Sequence, residues 1–423
     1  MNEKTREFIR EHADEDVRKV ALLGTKDPEV DLQMALQQIA GRQTAKKKLP
    51  SWAAVEGVIY PPHLNMEQCS SELTARYKAT IAGEGDSMAD LTGGFGIDFY
   101  WMSQGFEHRH YVEQNEALCE IAENNFRTLG LDGFVYCCDT ATYLTTMPHV
   151  SLIYMDPARR NEHGGRTYGI EDCTPNVLEL LPQLMEKADR VMLKLSPMLD
   201  WRKAVKQLQY VSEVHIVSVD NECKELVVEM WKEERGMWNV ECGMRNEMCQ
   251  TRVVCVNLLS NGGQQVFAFG AFGALGGQSP CTTHTGDSPR QAPLPIPHST
   301  FHIPHFLYEP NASIMKAGCF EALSQQYPVC QVSANSHLFL SSVEIDDFPG
   351  RRFQILAISS MNKKELSKNL VSMERANIAV RNFPMSAEQL RKKLKLKDGG
   401  DNYLFATTND KGGHLLFICR KIG

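Results

Sequence analysis

The sequence predicts an α/β protein: a doubly wound, mostly parallel sheet whose last strand is antiparallel, with a helical segment before it and a small α+β domain after it. Three observations carry this. From about residue 70, apolar strand-like runs alternate with helix-patterned ones. The runs "VHIVSVD" and "KELVVEMW" are separated only by "NEC", too short for a crossover helix, so they must form an antiparallel hairpin. Finally, the net charge of −7 hides a split, because Phe348 to Gly423 carries 15 Lys+Arg against 6 Asp+Glu. A basic module attached to an acidic body is the natural reading.

A chain of 423 residues exceeds one ordinary core, and 43% hydrophobic with 23% charged residues fits a water-soluble protein. The charged start "MNEKTREFIR" is unlike a signal peptide, and "VFAFGAFGAL" is too short for a membrane span. The 13 cysteines lack CxxC pairs, and Cys242, Cys249 and Cys255 are spaced wrongly for zinc. Reduced thiols in a cytoplasmic protein are expected. His298, His302 and His305 have no partner cluster in the sequence, so no metal is expected.

The elements follow in order. Residues 1–68 read as a helical domain, with Asp27-Pro28 starting a helix that runs to Gly41 or beyond. "KKKLPSW" closes it, its lysines reading as a solvated helix end rather than a phosphate contact. The span 69–235 holds strands at "DSMADL", "HRHYVEQ", "FVYCCD", "VSLIYMD", "DRVMLKLS" and "SEVHIVSV", then the hairpin's second arm. Helices are expected through "DFYWMSQG" and "EALCEIAENNFRTLG", and near 174–187 and 199–209. Residues 236–298 read as a strand-rich extension and a Pro/Ser/Thr-rich linker. The span 299–423 adds the runs "HLFLSSVEI", "RFQILAIS" and "HLLFICRKI", with helices around 362–371 and 386–396.

In "MADLTGGFGIDFYW", Gly93, Gly94 and Gly96 allow the backbone to approach a ligand and turn sharply into a helix. Glu113 closes the second strand 23 residues after Asp90, suited to accept ribose hydroxyls. A dinucleotide fingerprint would place another glycine where Phe99 stands. The loop also begins with Asp90, which repels pyrophosphate but can hold an ammonium directly or through water. S-adenosylmethionine has an ammonium, a ribose and no phosphate, so it fits better than NAD.

The motifs "DLTGGFGID", "YVEQN", "CCD" and "YMDPAR" resemble, in order, those of class I S-adenosylmethionine-dependent methyltransferases. That resemblance covers about residues 70–232 and implies a Rossmann-like, seven-stranded sheet with an antiparallel last strand. It implies that Asp90, Thr92, Gly94 and Gly96 hold the methionine part, Glu113 the ribose, and that Asp139 lies beside the adenine. "SSELTARYKA" resembles the preceding helix that reaches the cofactor's carboxylate through Thr74. More narrowly, "KKKLPSW", "DPARR", "YEPN" and "KLKLKDGG" resemble the layout of bacterial methyltransferases with a C-terminal THUMP-like domain.

Asp156-Pro157 ends the fourth strand beside that loop. An exocyclic base amine is a poor nucleophile because its lone pair is delocalised. A carboxylate and a backbone carbonyl that accept its hydrogens let the nitrogen pyramidalise toward the methyl group. Asp156 and the carbonyl of Pro157 are the candidates. Amine-methylating relatives usually show Asn/Asp-Pro-Pro-aromatic, whereas here Ala158 and Arg159 follow. Arg159 could stack on a base or clamp phosphate, or pair with a surface acid, as could Arg160. The loop "NEHGGRTYGIED" resembles that of guanine-amine RNA methyltransferases, where Tyr168 would supply the missing ring. Carbon methylation needs a cysteine nucleophile, and neither "LKLSPM" nor "MDPARR" has one. Lys194 and Ser196 would line the pocket, or Lys194 would serve a nearby acid.

The expected activity is methylation of a base in ribosomal or transfer RNA, with a guanine amine as the candidate acceptor. Arg391, Lys392, Lys393, Lys395 and Lys397, with Arg160, are the candidate phosphate contacts. A small-molecule or protein methyltransferase, or an RNA-binding protein without turnover, are the alternatives. Oligomeric state is not legible.

Overall fold

A computed structural model describes residues 1–159, 169–231, 251–271, 304–371 and 373–422. The chain forms two compact units, Met1–Val219 with Lys224–Val253, and Asp220–Cys223 with Val254–Gly423. The expected linker over 278–298 lies outside the described residues.

The first unit opens with helices α1 (Glu3–Glu11), α2 (Val17–Leu23), α3 (Leu32–Lys48), α4 (Pro50–Ala53), α5 (His63–Gln68) and α6 (Glu72–Ala82). The start expected at Asp27 is corrected, since α3 begins after Asp31. Asp27 instead closes a turn, accepting from the Glu29 amide, while Asp31 accepts from the Met34 amide and caps the helix. Starting there turns Ala35 and Ile39 inward, both fully buried. The helix also runs past Gly41, where packing demands a glycine, since an added Cβ would lie 2.3 Å from Tyr60.

The strands are β1 (Gly85–Asp90), β2 (Phe106–Glu113), β3 (Phe134–Cys137), β4 (Val150–Met155), β5 (Ala188–Leu195), β6 (Val211–Val219) and β7 (Glu222–Trp231). They lie in the order β6-β7-β5-β4-β1-β2-β3. β1 pairs in parallel with β2 and β4, β2 with β3, and β4 with β5, whereas β7 runs antiparallel to β5. The "NEC" hairpin is thus what slots β7 between β5 and β6. Helices α7 (Ile97–Met102), α8 (Glu116–Thr128), α9 (Thr140–Thr146), α10 (Val177–Lys187) and α11 (Trp201–Leu208) connect them.

The N-terminal helices, expected as a domain over 1–68, pack into this unit. Trp52, from "KKKLPSW", is fully buried and meets Phe95 edge-on at 5.2 Å, inside the glycine loop. Asn125 on α8 is also buried, accepting from the Ile59 amide and donating to its carbonyl at 2.8 Å each. The lysines of that stretch are not simply solvated: Lys46 pairs with Asp14, and Lys48 donates to the carbonyls of Met66 and Glu67.

The second unit contains β8 (Thr251–Leu258, begun in the first unit), β9 (Gln264–Ala271), β10 (Phe306–Pro310), helices α12 (Ala312–Ala317) and α13 (Phe320–Gln326), β11 (Cys330–Gln331), β12 (Phe339–Ser341) and β13 (Gly350–Ser360). After these come α14 (Lys363–Asn369), β14 (Asn377–Arg381), α15 (Ala387–Leu394), β15 (Asn402–Thr408) and β16 (His414–Ile422). A seven-stranded sheet takes the order β11-β12-β10-β13-β16-β15-β14. Leu307, Phe353, Phe405 and Phe417 are among the buried residues of its core.

Candidate functional site

The carboxyl ends of β1, β2, β4 and β5 open on one cleft of about 720 Å³, where a parallel sheet of this order places ligands. Its wall includes Asp90, Thr92, Gly94, Gly96, Glu113, Asp139, Asp156, Pro157 and Lys194.

The glycine loop is held by hydrogen bonds to β2. Gly93 donates to the Val112 carbonyl at 2.9 Å, Gly94 donates to Glu113 Oε2 at 2.9 Å, and Tyr111 donates its hydroxyl to the Gly94 carbonyl at 2.6 Å. The three glycines differ in purpose. A Cβ on Gly93 would sit 2.2 Å from the Tyr111 ring, and one on Gly96 (φ +82°) 2.8 Å from the Phe126 ring. Both are demanded by packing. Gly94 (φ +58°) would meet only the Thr92 carbonyl at 3.7 Å, so its missing side chain leaves backbone open to the cleft.

Asp90 is 1% exposed and has no ion-pair partner among the described residues. Burial pushes its carboxyl well above the usual range. The Thr92 amide opposes this, and Asp98, Asp156 and Glu113 add to it. Glu113 already accepts from Gly94 through Oε2 and from the Asn115 amide through Oε1, each oxygen keeping a lone pair for a further donor. Asp139 caps α9 by accepting from the Thr142 amide, and the Thr142 hydroxyl holds its carboxyl below the usual range.

Asp156 is joined to the same loop, its amide donating to Thr92 Oγ1 at 2.6 Å, and that hydroxyl reaching Asp90 Oδ1 at 3.4 Å. Its Oδ2 forms an ion pair with Lys194 Nζ. Burial opposes the charge on Lys194, but Asp156, Asp98 and Glu225 overcome it and raise its pKa, so it stays an ammonium. The open sequence reading of Lys194 resolves into both roles, lining the cleft and serving an acid.

Sequence reasoning missed a charged floor behind this pair. Fully buried Lys78 lies 2.6 Å from Glu225 Oε1, 3.0 Å from Ser70 Oγ and 3.2 Å from Asp98 Oδ1. Asp98 Oδ2 accepts from Ser70 Oγ and the Tyr154 hydroxyl. These residues meet only through the fold, since Lys78 and Glu225 are 147 positions apart. Glu67, Asp90, Asp98, Glu113, Asp139 and Asp156 in the wall, with Glu225 behind it, thus outnumber the amines of Lys78, Lys194 and Lys224. A cationic ligand suits such a cleft.

Some expected site residues fall elsewhere. Thr74 is not in the cleft wall; the first turn of α6 directs it inward, 2% exposed, with its hydroxyl donating to the Ser71 carbonyl. Asn65 and Glu67 through Ser70, just before that helix, line the wall instead. Arg159 contributes backbone to a two-residue ladder, Ala158–Arg159 with Cys173–Thr174. Its side chain, and all of Arg160 and Tyr168, lie outside the described residues. Folding also brings Cys69 and Cys173 to the cleft, which spacing could not reveal. Burial raises the Cys69 thiol, disfavouring the thiolate a nucleophile needs.

In the second unit, Arg391 pairs with Asp398 and Lys392 lies 3.7 Å from Glu388, while Lys393, Lys395 and Lys397 are exposed. Among the described residues two groups could approach a cation together: exposed Asp86, Glu107 and His108, and largely buried Glu213, His215 and Glu229. In the second, Arg252 and Arg190 already reach the two carboxylates. No helix among the described residues is long and apolar enough to cross a membrane.

Comparison with known proteins agrees with this architecture. A THUMP domain-like family model matches residues 350–421, and a ferredoxin-like domain model matches 306–349. A crystal structure of a protein from Porphyromonas gingivalis W83, provisionally named a methyltransferase, superposes with a TM-score of 0.80 at 29% identity, covering 100% of both chains. TrmK from M. capricolum, bound to S-adenosylhomocysteine, covers 38% of this chain and 68% of its own, at 12% identity and a TM-score of 0.30. A provisionally named RNA methyltransferase from Pyrococcus horikoshii covers 44% of this chain and 96% of its own, at 15% identity and 0.30. Neither of these two bears on what this chain does. No curated protein matches the sequence.

The residues fit S-adenosylmethionine as cofactor: open backbone at Gly94, a buried acid without an ion-pair partner among the described residues at Asp90, and an acid closing the neighbouring strand at Glu113. The chain is similar over its whole length to the Porphyromonas protein, and its fold is that of a class I S-adenosylmethionine-dependent methyltransferase with a THUMP-like domain at its C-terminal end.

Proposed function

We propose that this methyltransferase modifies a base in ribosomal or transfer RNA, with the exocyclic amine of guanine as the acceptor. The observation that carries the reading is Asp156-Pro157 in the wall of the cofactor cleft, one hydrogen bond from Thr92 of the glycine loop. The cofactor supplies a methyl group on a sulfonium, ready for in-line displacement. Asp90, Thr92, Gly94 and Gly96 would hold its methionine part, Glu113 its ribose hydroxyls, and Asp139 would flank the adenine. Lys194 holds Asp156 through Oδ2, leaving Oδ1 and the Pro157 carbonyl to accept hydrogens from the amine and turn its lone pair toward the methyl carbon. Arg159, Arg160 and Tyr168 would receive the surrounding nucleotide.

Asp156→Ala should abolish turnover while cofactor affinity falls only modestly, read by labelled methyl transfer and calorimetry. Mass spectrometry of nucleosides from cells with and without the gene should reveal one missing methylguanosine. Methyl incorporation into an extract that survives RNase would instead assign a protein or small-molecule acceptor. An inability to bind S-adenosylmethionine would favour an RNA-binding protein without turnover.

A further inference from the structure

The motif "YEPN" has no part in the cleft, yet its carboxylate organises a second charged site. Glu309, on β10, is 2% exposed and grips two guanidiniums at once. Arg351, its cross-strand partner on β13, donates Nε to Oε2 at 2.7 Å and places Nη2 on the same oxygen. Arg381, at the end of β14, donates Nη2 to Oε1 at 2.7 Å. The site spans both family-matched segments, since Glu309 belongs to 306–349 and the two arginines to 350–421.

One buried carboxylate neutralises only one of the two cations. The Arg351 and Arg381 side chains keep 40% and 39% of their exposure. Each guanidinium carries five N–H donors; the carboxylate engages the Nε/Nη2 edge of Arg351 but only Nη2 of Arg381, whose buried Nε has no hydrogen-bond partner among the described residues. The outer Nη1 groups have no partner among the described residues. His337, stacked on Phe320 at 4.4 Å, is held below the usual imidazole range by burial and by Arg381, so it adds no charge to the two guanidiniums. Pre-ordered forks lose little rotamer freedom on binding and match the oxygens of a phosphate. The helix-borne cations Arg391 and Lys392, by contrast, already face Asp398 and Glu388.

We propose that the outer edges of Arg351 and Arg381, aligned by buried Glu309, bind a backbone phosphate of the RNA substrate. The assignment rests on the RNA reading above and adds where the second unit grips that RNA.

The test uses the full chain and fluorescein-labelled bulk transfer RNA, with anisotropy measured from 50 to 300 mM salt. The double variant Arg351→Lys, Arg381→Lys keeps both charges beside Glu309, so it should fold, and it removes the forks. It should bind about five- to tenfold more weakly. Arg381→Gln alone should weaken binding and reduce the slope of log affinity against log salt by about 0.7–0.9, as for one lost phosphate contact. Affinity for S-adenosylmethionine should not change in either. Wild-type affinity and slope in both variants would overturn the site while leaving the RNA reading intact. Failure of the unaltered protein to bind RNA at any salt would overturn the reading itself, and this site with it.

Discussion

At Asp90, a charge placed for binding works against the cofactor-free fold, whereas the Lys194 ammonium is held by its acids. Asp90 is buried among Asp98, Asp156 and Glu113, and its carboxyl titrates well above the ordinary range. A folded-state pKa above the unfolded value means that the stabilisation is complete below the unfolded value and is lost as pH rises through the folded one. The cofactor-free protein should therefore lose stability as pH rises through the Asp90 transition, and a cationic ligand should restore it. Asp90→Asn should raise Tm of the cofactor-free protein at alkaline pH, yet weaken S-adenosylmethionine binding; a calorimetric pH series with and without ligand reads both. A lower Tm across that series would contradict the unpaired acid. Lys194→Met leaves Asp156 without its counter-ion and should cut turnover by about a hundredfold, as a loosened catalytic group does, with Lys194→Arg recovering most of it. The sequence exposed Asp90, Glu113 and Asp156 because each ends a strand at a recognisable spacing. It could not expose Lys78, Asp98 and Glu225, which come from two helices and the hairpin strand and meet only once the sheet has formed.

Among the elements, the glycine loop separates folding from binding. Gly93→Ala would drive a Cβ to 2.2 Å from the Tyr111 ring and should destabilise the whole unit. Gly94→Ala meets no such clash, only the left-handed backbone, which costs roughly 1–2 kcal/mol. It should fold, with a methyl group in the cleft and a cofactor affinity at least tenfold lower by titration calorimetry. Equal affinity in Gly94→Ala would mean that the ligand does not approach that backbone. The helix α3 carries a related lesson. Asp27 and Asp31 both have cap chemistry four residues apart, and local signals cannot rank them. Burial of Ala35 and Ile39 does.

At the largest scale, the N-terminal helices share a core with the glycine loop and with helices α6, α7 and α8. Trp52 is fully buried against Phe95 of the cofactor loop, so Trp52→Ala should cost about 3–5 kcal/mol and weaken cofactor binding at the same time. Saturating S-adenosylmethionine, at a hundred times Kd, should stabilise this unit by about 2.7 kcal/mol. In hydrogen exchange, the amides at the carboxyl ends of β1, β2, β4 and β5 should gain the protection. The sequence by itself determined the strand–helix alternation, the antiparallel last strand and the acids at the strand ends. Each of these is a local pattern: an apolar period, a three-residue connection, a carboxylate beside a turn. Tertiary structure alone decided that Lys194 holds Asp156, that Lys78 lies under the cleft, that Thr74 turns inward while Ser70 lines the wall, and that Glu309 gathers Arg351 and Arg381. Ion pairs in a low-dielectric interior depend on distance through space, and separation along the chain carries almost no information about it.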